Sequence, residues 1–291
     1  MTATFFADAF IIIDAVPATD LQTGRRLHED MTDWLIHTKQ EMPCERHICS
    51  NSKNFKDILI RIRNDVICKG TIPILHIEGH ARREAMSFPD GSHLEWSSVF
   101  TLLRAINVAC KNNLFLSSGA CKSAYVYREV SITEACPVWG LLAPETTVTA
   151  GEVEKGFSAF YEKLIHTKNF DISLDAFSNA IDSSKFALII SDEIFRKGAY
   201  KYIKYYCSGS GRKKRVEDLL TVSRNWYRLK QKLKDERKLI KKALKEPHAP
   251  YLIKFYRKFM MIDIYPENAK RFSFDAKSFE RGVKDGSIVI K

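Results

Sequence analysis

Residues 72–80 read IPILHIEGH. An apolar run of strand length carries polar side chains at 76, 78 and 80 and closes on Gly79-His80. A run covered by protein on both faces reads this way when it lies inside a parallel sheet. The fold then depends on whether similar runs alternate with helices around it. They do. AFIIIDAV (9–16), ERHICS (45–50), NLFLSS (113–118), CPVWGLLAP (136–144) and FALIISDEI (186–194) each have strand length. Between them lie helical patterns. TGRRLHEDMTDWLIHTKQ (23–40) places Leu27, Met31, Trp34 and Leu35 at helical spacing. NSKNFKDILIRIRNDVICKG (51–70) has an Asn cap and a terminal Gly. Residues 97–112 and 151–167 are further amphipathic helices, and AMSFPDGSHLEW (85–96) reads as a hairpin about Pro-Asp-Gly. This order predicts an α/β three-layer sandwich with a mainly parallel six-stranded sheet.

Beyond residue 200 the character changes. The chain has 291 residues and a net charge of +11, but residues 201–291 hold 25 Lys and Arg against 10 Asp and Glu. Residues 1–200 hold 21 against 25. CSGSGRKKR (207–215) reads as an exposed basic loop. Residues 216–246 read as one long helix with a narrow stripe of Trp226, Leu229, Leu233, Ile240 and Leu244. Pro247 and Pro250 end it, and YLIKFYRKFMMIDIY (251–265) follows as a second basic, aromatic-rich element. The expected division is a 1–205 α/β domain and a 206–291 basic helical region. The latter suits an acidic protein partner, nucleic acid phosphates, or plain packing. Trp226, Tyr227, Phe255 and Tyr256 fit either base stacking or a core stripe.

No apolar run reaches the ~20 residues that span a bilayer, and FFADAFIIIDAV carries Asp8 and Asp14, so a strand is expected rather than a signal peptide. The seven cysteines are odd in number, scattered and without zinc-finger spacing. Reduced thiols in a cytoplasm, with no metal, no cofactor and no membrane partner, are the expectation.

In open α/β sheets chemistry gathers beyond the carboxyl ends of strands. Two ends stand out: Glu78-Gly79-His80-Ala81 and Ser118-Gly119-Ala120-Cys121-Lys122-Ser123. A thiol nucleophile needs a base beside it and donors aimed at the oxyanion. A His ending one strand and a Cys ending the next supply the first, and small neighbours open the backbone N–H groups. His76 is a rival base. It lies four residues before His80, so strand alternation puts both on one face.

ILHIEGHA and LFLSSGACKS, with His80 and Cys121 41 residues apart, resemble the caspase–haemoglobinase-like cysteine peptidases, most closely the CHAT-type branch. The resemblance spans roughly residues 5–200, including the hairpin after the His and PVWGLLAPE…GFSAFY. It implies a hydrolase with a His80–Cys121 dyad: Cys121 as nucleophile, His80 as base and then acid, and the N–H groups of Ala81 and Cys121 as oxyanion hole. Ala81 stands where the family has Gly. It retains the N–H and serves without strain where φ is negative. Asp14, Asp20 and Glu145 follow the first and fifth strands, and each suits an acidic pocket for a basic P1 side chain. Arg25 or Arg26 would instead select an acidic P1, and under a basic P1 the GSGRKKR stretch (209–215) is a candidate self-processing site. The family analogy implies a regulated endopeptidase acting on a protein substrate under a regulatory protein partner, in bacterial stress or anti-phage defence. The competing expectation is an inactive binding module whose basic region holds nucleic acid or an acidic protein.

Overall fold

The computed structural model describes residues 6–207, 209–227, 232–244 and 248–290, with the backbone alone at 126, 128, 129, 209, 210, 226 and 227. Two compact units divide the chain: residues 1–130 with 135–191, and residues 131–134 with 192–291. The longer segment of the second unit starts at Asp192, and the sequence places a boundary at 205/206.

The first unit is α/β. Strands β1 (Ala9–Ala15), β2 (Cys44–Ile48), β3 (Pro73–Ala81), β6 (Phe115–Ser118), β7 (Gly140–Pro144) and β8 (Phe186–Ile190) lie side by side in the order β2-β1-β3-β6-β7-β8. The first five run parallel, and β8 pairs antiparallel with β7. A hairpin of β4 (Ala85–Ser87) and β5 (His93–Glu95) joins through β4 to the end of β3, so the sheet holds eight strands rather than the expected six. The predicted sixth strand is shorter than 186–194: it stops at Ile190, and a helix starts at Ser191.

Burial explains the apolar runs. All seven residues of β1, all five of β7 and the first six of β3 are buried. Edge strand β2, CERHI, is half-exposed and charged, which discourages pairing with another chain. Helices α1 (Thr23–His37), α4 (Ala150–Thr167) and α5 (Phe170–Ala180) pack on one another, and α2 (Ser52–Lys69) packs with α3 (Trp96–Ala109). Two helix groups are what a three-layer α/β arrangement requires. The predicted Asn cap of α2 is present: the Asn51 side chain accepts from the Asn54 N–H at 2.8 Å. Helix α5 was not visible as a pattern, because only Ser173 and Phe177 of its eleven residues are fully buried.

The second unit is helical: α6 (Ser191–Lys201), α7 (Gly209–Tyr227), α8 (Leu233–Ala243), α9 (Ala249–Phe259) and α10 (Ala276–Asp285). Its packing groups Phe195, Tyr256, Phe259, Phe274 and Phe279. Three expectations are corrected here. Residues 209–215 are the first turns of α7, not a loop. The single helix over 216–246 is two helices, because Lys232 has extended backbone (φ −63°, ψ 136°) and α8 starts after it. The apolar seam therefore comes from Val216, Leu220 and Leu244, flanked by Leu219 and Ile240, while Leu233 is exposed. Leu229 and the side chains of Trp226 and Tyr227 lie outside the described residues. Tyr256 belongs to the core, with its hydroxyl donating to Asp192 Oδ1 at 2.8 Å. Among the described residues no helix is long and apolar enough to cross a membrane.

Candidate active site at three adjacent strand ends

The pairing of β3 with β6 sets the site. Ile77 lies opposite Ser118, and the Gly119 N–H continues the ladder by donating to the Ile77 carbonyl at 2.9 Å. His80 and Cys121 each lie three residues beyond that last matched pair, at the carboxyl ends of neighbouring parallel strands. Both belong to the first unit.

Two glycines permit the approach. Gly79 takes φ +146°, and a Cβ there would lie 3.2 Å from the Ala15 carbonyl oxygen. A Cβ on Gly119 would collide with the Glu78 carboxylate and sit 2.6 Å from Val153. The glycine at 119 thus serves close packing beneath the cysteine.

After Cys121 the chain turns sharply. Lys122 adopts the left-handed conformation (φ 60°), and a 3-10 helix runs from Ser123 to Glu129. The loop after β7 closes on this turn. Lys122 N–H donates to the Thr146 carbonyl at 3.1 Å. The Cys121 thiol donates to the Val148 carbonyl at 3.5 Å, and the Val148 N–H donates back to Sγ at 3.4 Å. Thr149 then caps α4 through a reciprocal pair with Glu152, and Glu152 also pairs with Lys185. Cys121 is half-buried, and among the described residues its N–H has no acceptor.

His80 is exposed. Its Nε2 lies 2.7 Å from Asp20 Oδ2, on the loop that follows β1. Hydrogen bonding to His80, and then to Thr19, holds the Asp20 carboxyl below its usual range. Among the described residues His80 and Cys121 are not hydrogen-bonded to each other. Ala81, the expected second oxyanion donor, pairs with Met86 and is not a positive-φ residue. The methyl group of Ala81 therefore causes no backbone strain. Arg82 N–H donates to the Ala85 carbonyl, so 82/85 is a bonded pair of the hairpin. Antiparallel alternation makes Ala81/Met86 a non-bonded pair and leaves the Ala81 N–H unused by β4.

The three acids expected near the site separate. Asp14 is 2% exposed, accepts from the Val16 N–H at 3.1 Å and is clamped by Arg46 at 2.7 Å. It is not open to a substrate cation. Asp20 meets His80. Glu145 is exposed just after β7 and, among the described residues, has no side-chain partner. Of the two arginines expected to select an acidic P1, Arg26 pairs with Glu154 at 2.9 Å and Arg25 lies 3.9 Å from Glu29.

A second histidine constellation lies beneath. His76 Nδ1 is 2.7 Å from Ser117 Oγ, His76 Nε2 is 2.8 Å from Glu78 Oε1, and Ser117 Oγ is 2.6 Å from the Tyr161 hydroxyl. The sequence allows Glu78 to be an exposed strand-end carboxylate or the partner of an imidazole; it is buried at 3% exposure against the ring of His76. A serine, a histidine and a carboxylate in sequence look like a hydrolase triad. Ser117 is fully buried, however, and the rings of Phe157 and Tyr161 pack edge-on against His76. No substrate carbonyl reaches it, so the group is a satisfied core network. Burial likewise pushes the thiols of Cys44, Cys110 and Cys136 up to about 12 and that of Cys49 up to about 11, which keeps them protonated. Among the described residues no cluster of His, Cys, Asp and Glu is arranged to hold a metal ion.

Compared with known proteins, the chain matches no family model, and no curated protein is significantly similar to it.

Proposed function

We propose that the protein is a caspase-like cysteine endopeptidase whose dyad is His80 and Cys121. The observation that carries this reading is the register: base and nucleophile leave adjacent parallel strands at equivalent positions, with an unclaimed N–H at Cys121. In the acylation step the Cys121 thiol gives its proton to His80, and Sγ attacks the scissile carbonyl. The oxyanion is met by the N–H groups of Cys121 and Ala81. Protonated His80 then gives its proton to the leaving amine as the C–N bond breaks, leaving a thioester. Water, deprotonated by His80, hydrolyses the thioester and restores the thiol.

Glu145 is the carboxylate left to select a basic P1 residue, since Asp14 and Asp20 are engaged. The stretch 209–215 is a poor self-processing site as it stands, because it is helical and this chemistry needs an extended peptide. A regulatory protein partner remains part of the proposal: Cys121 Sγ rests against Val148 rather than His80, and a partner would raise the fraction of time for which a dyad that the chain forms by itself is in place.

The same observation favours the second reading, a binding module that no longer cleaves. The exposed Lys232, Lys234, Lys238, Lys241 and Lys242 along α8 supply its surface for nucleic acid or an acidic protein.

A thiol-directed peptide probe with Lys or Arg at P1, followed by peptide mass spectrometry, separates the two. The peptidase reading expects labelling at Cys121 that is lost in His80→Ala. Equal labelling of wild type and His80→Ala, with salt-sensitive binding of nonspecific DNA, would favour the module.

A further inference from the structure

We infer that Asp20 is the positioning residue of the site, fixing which nitrogen His80 presents to Cys121. The inference rests on the peptidase reading of His80 and Cys121. Three neighbouring strands, β1, β3 and β6, carry an acid five residues past the first, an imidazole at the end of the second and a thiol three residues past the third. An ionised carboxylate only accepts hydrogen bonds, so the proton of the 2.7 Å contact belongs to His80 Nε2. In the neutral ring Nδ1 then carries the lone pair, and among the described residues it has no partner. Nδ1 is thus the atom that takes the thiol proton, and Asp20 stabilises the imidazolium that results.

Asp20 is itself held. The Asp20 N–H donates to the Pro17 carbonyl at 3.0 Å, and Thr19 Oγ1 donates to Asp20 Oδ1 at 3.2 Å. The Gln22 side chain donates to the Pro17 carbonyl at 2.8 Å and to the Asp20 carbonyl at 3.0 Å. The loop therefore presents Oδ2 to His80 with little freedom. None of this was legible from spacing, since residues 20 and 80 lie far apart in sequence.

The test is the rate at which iodoacetamide, an uncharged reagent, alkylates Cys121 in the full chain at neutral pH, read by peptide mass spectrometry. His80→Ala is expected to slow it about 100-fold, the lower end for losing a general base. Asp20→Ala is expected to slow it about tenfold, as for an exposed charge-assisted hydrogen bond. Asp20→Glu restores most of the loss by returning the charge. Added salt slows wild type toward the Asp20→Ala rate and leaves Asp20→Ala unmoved, which a merely structural role would not produce. Asp20→Asn, with the same shape and no charge, gives the same salt-insensitive loss and serves if the alanine variant does not fold. If Asp20→Ala and Asp20→Asn alkylate at the wild-type rate while His80→Ala is slow, the inference is overturned and the dyad stands. If His80→Ala itself matches wild type, the dyad fails and the role of Asp20 fails with it.

Discussion

Strands β3 and β6 carry two histidine-centred groups. The inner one, Ser117–His76–Glu78 with Tyr161, is closed by hydrogen bonds of 2.6–2.8 Å and lies out of reach of solvent. The outer one, Asp20–His80 with Cys121, has a single 2.7 Å bond, and both the imidazole and the carboxylate are well exposed. The inner group has the better triad geometry and no room for a reaction. The outer group has loose geometry and two unspent atoms, a ring nitrogen and a backbone N–H, beside a thiol held only by long contacts to the Val148 backbone. Satisfied polar groups hold a core together, whereas a site that binds a substrate must leave some polar groups unpaired.

The sharpest way to break this comparison is to delete one nucleophile from each group. Cys121→Ala is expected to abolish thioester formation and probe capture. Ser117→Ala is expected to leave capture at Cys121 unchanged and to cost about 1–3 kcal/mol in urea unfolding, because it strips partners from buried His76 and Tyr161. Loss of capture in Ser117→Ala with an unchanged fold would reverse the two roles.

The next effect concerns the acids after β1. Arg46→Ala leaves Asp14 buried without its counter-charge and is expected to cost about 3–5 kcal/mol in urea unfolding. Asp20→Ala, at an exposed hydrogen-bonded pair, is expected to leave the thermal midpoint in place. Similar losses in both variants would mean that the two aspartates do the same job.

The smallest effect is at the loop holding Cys121. The Glu152 carboxyl is held down to about 2 from 4.5 by Lys185 and then by the Thr149 cap. Its folded value is depressed, so its contribution is complete above about pH 4.5 and is lost as pH falls through about 2. Glu152→Gln is expected to flatten that part of the stability–pH curve, read from urea midpoints between pH 2 and pH 5. A curve superimposed on wild type would remove Glu152 from the support of the loop whose Val148 backbone meets Cys121.

Much of the first unit was legible because its signals are local. The runs at 9–16, 72–80 and 113–118 announce buried parallel strands by composition, and Asn51 announces a helix start by its side chain. The strand ends that carry His80 and Cys121 follow from those runs alone. The second unit was less legible. The break at Lys232 leaves no Pro or Gly mark near it, and basic residues cover both helices, so one stripe and two look alike.

By itself, the sequence determined that an imidazole and a thiol would stand at the ends of two strands, since strand position and length follow from apolar runs; that β3 and β6 lie side by side is decided by the tertiary structure. The Gly-His context and strand-end position favour His80 over His76 in the sequence, although alternation places both on one face, and the tertiary structure buries His76 and exposes His80. It also sent Asp14 to Arg46 and Asp20 to His80, although both follow one strand within a few residues. Alternation is a property of the local backbone. Exposure and partner are set by chain that is distant in sequence, and no spacing within one segment encodes them.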